Sequence, residues 1–196
     1  MATVVMCGLS VRSTQAGYVV TLQQVGSNVV ATGSGAIDLT GLGGPGSDNQ
    51  GQSAIEPGSA FIITGPTGIS DADSYAGFSG PTSFGLGTGM VTFANSGSGD
   101  LVGILGAGAL QFLLVPRGYV SGNALSDSST YNGATFTNLG ITPGTYTWTW
   151  GTGANQNFTL DAVATGVPDS GSTFGLFLLS FAALFGASRF RSQQST

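Results

Sequence analysis

The chain has 196 residues, 34 of them glycine, with 7% charged side chains, no histidine and a formal net charge of −5. That length suits one domain plus signals, and four arginines without a single lysine cannot neutralise a run of phosphates, which excludes a nucleic-acid partner. Without histidine there is no Ser-His-Asp or Cys-His arrangement and no ordinary zinc or transition-metal site, and the one cysteine, Cys7, excludes an intrachain disulfide framework.

Residues 1–16 join a short apolar run, 2–9, to Thr14-Gln15-Ala16, which has the small-x-small form of a cleavage site. Arg12 follows the run, whereas a signal peptide carries its basic residues before it. The segment reads as a degenerate or truncated signal peptide, with a first strand of the mature domain as the alternative.

From Gly17 the pattern is β. Residues 18–25 alternate in part with period two, Gly26-Ser27-Asn28 makes a turn, and 29–39 reads as the second strand of a hairpin. Residues 42–58 are rich in Gly, Pro, Ser and Asn and are expected to be a loop, before an apolar strand at 59–64. A second long loop is expected over 65–89, holding Asp71, Asp73, Tyr75, Phe78 and Phe84. Strands follow at 90–93, 101–105 and 111–116, then a polar loop over 119–137 whose end, 134–137, is placed for pairing. The clearest strands are 144–150 and 156–163, joined by a Gly-rich turn. About eight to ten short strands with turns between them, and no helix pattern before residue 170, imply an all-β sandwich of jelly-roll kind over 17–165.

Tyr146, Trp148 and Trp150 alternate with threonines, so their three rings share one sheet face. They form either a carbohydrate-stacking platform, with Tyr75 and Phe78 as further stacking candidates, or the core face of the sandwich. The core is the expectation, because three exposed rings invite aggregation in a chain so short of charge. Asp71 and Asp73 are too ordinary a turn pair to assign glycosidase chemistry. As a calcium loop they fail at Tyr75, where an EF-hand needs Asp or Asn. The glycine-rich stretch 85–89 lacks the lysine and following helix of a phosphate loop. No catalytic residue, cofactor or metal site is assigned, and the protein reads as non-enzymatic.

The C-terminal stretch has a different grammar. Val167-Pro168-Asp169-Ser170-Gly171 is a turn-forming, extended motif. The chain is then uncharged from Ser170 to Ser188, 19 residues, close to the roughly 20 that a helix needs to cross a bilayer. Arg189 and Arg191 follow at once, where the positive-inside rule holds them in the cytoplasm and leaves the body outside. A transmembrane helix is expected over 172–188, apolar all round where a core helix would show a polar face.

These residues resemble the PEP-CTERM class of bacterial C-terminal sorting domains, in its VPDSG variant. Val167, Pro168, Asp169, Ser170 and Gly171 match the motif, 174–187 its helix, and Arg189 and Arg191 its basic end. The opening of the body, residues 20–42, is also similar to the mature N-termini of many proteins with such tails. The resemblance implies an exported exosortase substrate, held transiently in the inner membrane by residues 166–196, then cleaved and moved to the cell surface or an extracellular matrix. There an extracellular polysaccharide is the partner to consider.

Overall fold

Residues 17–107 and 110–164 are described by the computed structural model. In chain order the strands are β1 (Tyr18–Val25), β2 (Asn28–Ala36), β3 (Gly43–Gly51), β4 (Ala54–Glu56), β5 (Phe61–Thr64), β6 (Ser70–Ala76), β7 (Thr92–Phe93), β8 (Ser96–Gly99), β9 (Val102–Ala107), β10 (Leu110–Pro116), β11 (Ala124–Tyr131), β12 (Gly144–Thr149) and β13 (Asn157–Val163). A 3-10 turn at Pro57–Ser59 and one helical turn, α1 (Phe136–Leu139), complete the described elements. The first sheet runs β12-β13-β1-β2-β11-β8 and the second β3-β6-β10-β9-β5-β4-β7.

The two-layer, all-β expectation is met. Thirteen strands exceed the eight of a jelly roll, and β1 pairs in parallel with β13, Tyr18 beside Phe158. The β1–β2 hairpin turns on Gly26, whose φ of 60° fits the first central position of a tight hairpin loop. Between the sheets lie Trp148, Tyr18, Tyr131, Phe84 and Phe158, all essentially without exposure. Phe158 stands at the centre of a ring cluster, 5.6 Å from Tyr18 and 5.7 Å from Trp148 between centroids, the latter edge-on.

Three expected loops contain strands. β3 and β4 lie inside 42–58. β3 is an edge strand with Pro45 and two register shifts, and edges and bulges are where a sheet tolerates proline and glycine. β6 lies inside 65–89, so Asp71 and Asp73 belong to a strand. β11 lies inside 119–137 and is central to the first sheet. Its burial alternates strictly, yet two of its four inward positions are the polar Asp127 and Ser129, which hid the period-two apolar signal. Ser129 Oγ is satisfied by Gly65, accepting from its N at 3.0 Å and donating to its O at 3.3 Å. The end of that stretch, expected to pair, is instead α1. Thr135 and Asn138 cap it reciprocally and Gly140, at φ 70°, ends it.

The chain divides into a compact unit ending at Ala164 and a second beginning at Thr165. The expected signal peptide 1–16, the sorting motif and the helix at 172–188 with Arg189 and Arg191 lie outside the described residues. No helix among the described residues is long and apolar enough to cross a membrane.

Candidate functional site

The central strands of the second sheet are apolar on both faces. Ile62, Ile104, Leu113 and Val115 face the sandwich core, while Ile63 and Leu114 turn to the outer side, with Phe61 and Leu105 half-buried beside them. Part of this outer face is covered by the chain itself. From β3 to β4 only Gln52 and Ser53 intervene, although the two strands are separated by β6, β10, β9 and β5 in the sheet. The crossing is close: a Cβ on Gly51 would stand 3.1 Å from Leu101 and 3.7 Å from both Ile63 and Leu114.

What the strap leaves uncovered is an apolar groove of about 400 Å³. Its floor is Phe61, Ile63, Leu105 and Leu114, and its walls are Ile69, Phe93 and residues 50–52. Ile69 and Phe93 are 72% and 56% exposed. The volume falls within the range of small-ligand clefts. No ionisable group lines it, so it offers shape and apolar contact but no acid, base or nucleophile.

Among the described residues, several carboxylates are engaged in structural bonds, whereas the buried Tyr131 hydroxyl has no hydrogen-bond partner. Asp127, buried, accepts a hydrogen bond from the Tyr18 hydroxyl. Burial, with a smaller push from Asp100, raises its carboxyl from 3.8 to about 6 against the pull of Tyr18, Thr64 and Gly33. Glu56 is the opposite case. Burial alone would raise it, but hydrogen bonds from Ser59, Gly58 and Gly89 outweigh that and hold it below its ordinary value. Asp71 pairs with Arg117 at 3.6 Å and accepts from Gln50 at 3.0 Å, and Asp73 accepts from the Gly118 amide at 2.8 Å.

The four stacking candidates separate. Trp148 is wholly buried, its Nε1 donating to Pro81 O at 2.9 Å, and Tyr75 is buried in the same core, so neither presents a ring face to a sugar. The alternation of Tyr146, Trp148 and Trp150 does put their rings on one side, and that side packs against the core. Trp150 and Phe78 remain half-buried as an edge-on pair 6.4 Å apart, with Trp150 Nε1 donating to Asp38 O at 2.7 Å.

After this domain in the sequence comes the sorting stretch. Residues 166–191 match the family model of the VPDSG-CTERM motif. The tail is thus a PEP-CTERM-type exosortase sorting signal, and the protein an exported, surface-directed substrate of that membrane enzyme. The match spans Val167 to Gly171 and the basic end, Arg189 and Arg191. No curated protein and no solved structure matches the chain.

The VPDSG-CTERM tail was legible from its residues; the groove was not assigned in advance. Its signal was present in the runs 61–63, 104–105 and 112–115, which are continuously apolar where a half-solvated strand alternates.

Proposed function

We propose that the protein is a non-enzymatic β-sandwich, exported, held transiently in the inner membrane through 172–188 with Arg189 and Arg191 on the cytoplasmic side, and then displayed on the cell surface or in an extracellular matrix. The observation that carries this reading is the place of the VPDSG-CTERM match, which begins at residue 166, just after the compact unit ends at Ala164. A body without histidine, with its carboxylates tied to Tyr18, Arg117 and backbone amides, supports display over catalysis. The test is the intact mass of the mature protein recovered from the surface or medium of its native host. Loss of the tail within or near Val167 to Gly171, with loss of residues 1–16, is expected. A full-length mass in the inner-membrane fraction overturns the reading in favour of a tail-anchored membrane protein.

A second reading, a carbohydrate-binding module for extracellular polysaccharide, draws support from the half-buried Phe78–Trp150 pair alone. A glycan array decides it. Binding that Trp150→Ala removes while the fold persists favours the module, and no binding to any polysaccharide removes it.

A further inference from the structure

The turn between β11 and α1 is pinned by amide side chains from other parts of the chain. Asn132 N donates to Asn95 Oδ1 at 2.7 Å, and Gly133 N donates to Asn28 Oδ1 at 3.0 Å. Gln24 holds the same stretch from β1, its Nε2 donating to Ala134 O at 3.0 Å and its Oε1 accepting from Phe136 N at 3.2 Å. Three segments distant in sequence thus grip the backbone of residues 132–136.

The Asn132 side chain is left out of this network. It is exposed, and its amide makes no hydrogen bond among the described residues. Of the eight asparagines in the chain, Asn132 alone precedes a glycine. The next residue therefore brings no Cβ to shield its own backbone nitrogen, and the space that a Cβ would take at Gly133 is open, with nothing within 4 Å. An electrophilic amide carbon and an unshielded backbone nitrogen stand side by side on the surface.

We propose that Asn132 is a site of spontaneous covalent modification and that Asn28 sets its rate. Gly133 N attacks Asn132 Cγ, and the new C–N bond closes a five-membered succinimide ring. The Cγ–Nδ2 bond breaks, and the amide leaves as ammonia with the proton that Gly133 N gives up. Water then adds to either ring carbonyl and opens the ring, leaving a carboxylate at position 132 joined to Gly133 through its α- or its β-carbonyl. Attack requires the nitrogen to shed its proton and swing towards Cγ. In the folded chain that N–H is given to Asn28, and the preceding one to Asn95, so the bond to Asn28 must break first. Linkage through the β-carbonyl adds a backbone carbon between Tyr131, paired with Val29, and Thr135, the cap of α1, and so works against the bonds that hold this corner.

The test incubates the full chain in a non-ionic detergent at mildly alkaline pH and follows every asparagine by peptide mass, with the isoaspartyl product separated by chromatography. Asn132 is expected to convert first. Asn28→Ala should hasten it about fivefold, the worth of one hydrogen bond surrendered before attack, while Asn28→Asp, which keeps the acceptor, stays near the wild-type rate. Should circular dichroism show Asn28→Ala unfolded, the native wild type is compared with the same chain in concentrated urea, where Asn132 is expected to react at least about fivefold faster. An Asn132 that stays intact, earlier conversion of another asparagine, equal acceleration by both Asn28 variants, or a rate indifferent to Asn28→Ala or to urea each overturns the proposal.

Discussion

The two sheets share one core but present opposite outer faces. Across the first sheet, Thr145, Asp161, Thr21, Thr32, Ser128 and Ser98 stand in register on six neighbouring strands. Two neighbouring pairs bond, Thr145 donating to Asp161 at 2.6 Å and the Ser98 and Ser128 hydroxyls 3.3 Å apart. Across the second sheet the corresponding outer positions are Ile63 and Leu114 on either side of Gly103, both nearly without exposure. A hydroxylated face is complete in water. An apolar one needs cover, which here comes in part from a strap of the chain. The difference separates strands that alternate from strands that run apolar.

Asp127 breaks the pattern of the first sheet from within and ties its stability to pH. Its carboxyl lies raised from 3.8 to about 6, so the folded protein favours the protonated form. The stability this contributes is fully present below about 3.8 and lost as pH rises through about 6. The whole shift corresponds to about 3 kcal/mol, of which roughly half falls between pH 5 and pH 8. Urea unfolding should therefore show wild type losing more stability than Asp127→Asn on going from pH 5 to pH 8. Glu56 acts with the opposite sign, its contribution being lost as pH falls through its lowered value, so the comparison is kept at pH 5 and above. Equal slopes for the two proteins would mean that Asp127 is not held in this state.

Next comes the outer face of the second sheet. Leu114 is 1% exposed although it points away from the core between the sheets. Leu114→Ala should cost about 2–5 kcal/mol in denaturant midpoint, towards the lower end because the strap can settle onto the vacated space. A cost within about 0.5 kcal/mol is that of a surface substitution, and it would remove the distinction between the two outer faces.

Legibility followed the same division. β1, β2, β12 and β13 were readable because their inward residues, such as Val20, Leu22, Phe158 and Leu160, are apolar and their outward ones polar. β11 was hidden by Asp127 and Ser129 at inward positions, and β6 by Asp71 and Asp73, which look like turn residues until Arg117 and the Gly118 amide are seen to hold them. β3 was hidden by its glycines and Pro45, which only an edge accepts. The parallel β1–β13 pair had no local signal, since pairing across the length of the domain leaves no trace in either strand. For the tail, motif, apolar length and basic end are all local, so sequence alone sufficed for what the family match later gave. Of the stacking candidates the sequence supplied the shared face but not its direction, and direction decides whether Trp148 meets a sugar or Phe158.

The smallest expected effect tests the first sheet. Ser128→Ala removes one hydroxyl from the in-register row and leaves Ser98 to water, since both lie towards solvent and neither is a buried group losing its partner. A hydrogen bond exchanged for one to water changes stability little, so the melting and urea midpoints should stay within about 0.5 kcal/mol of wild type. A cost well above about 1 kcal/mol would show that the row of hydroxyls acts as one cooperative network, with each bond strengthened by its neighbours. The first sheet's outer face would then be a built surface rather than a solvated one.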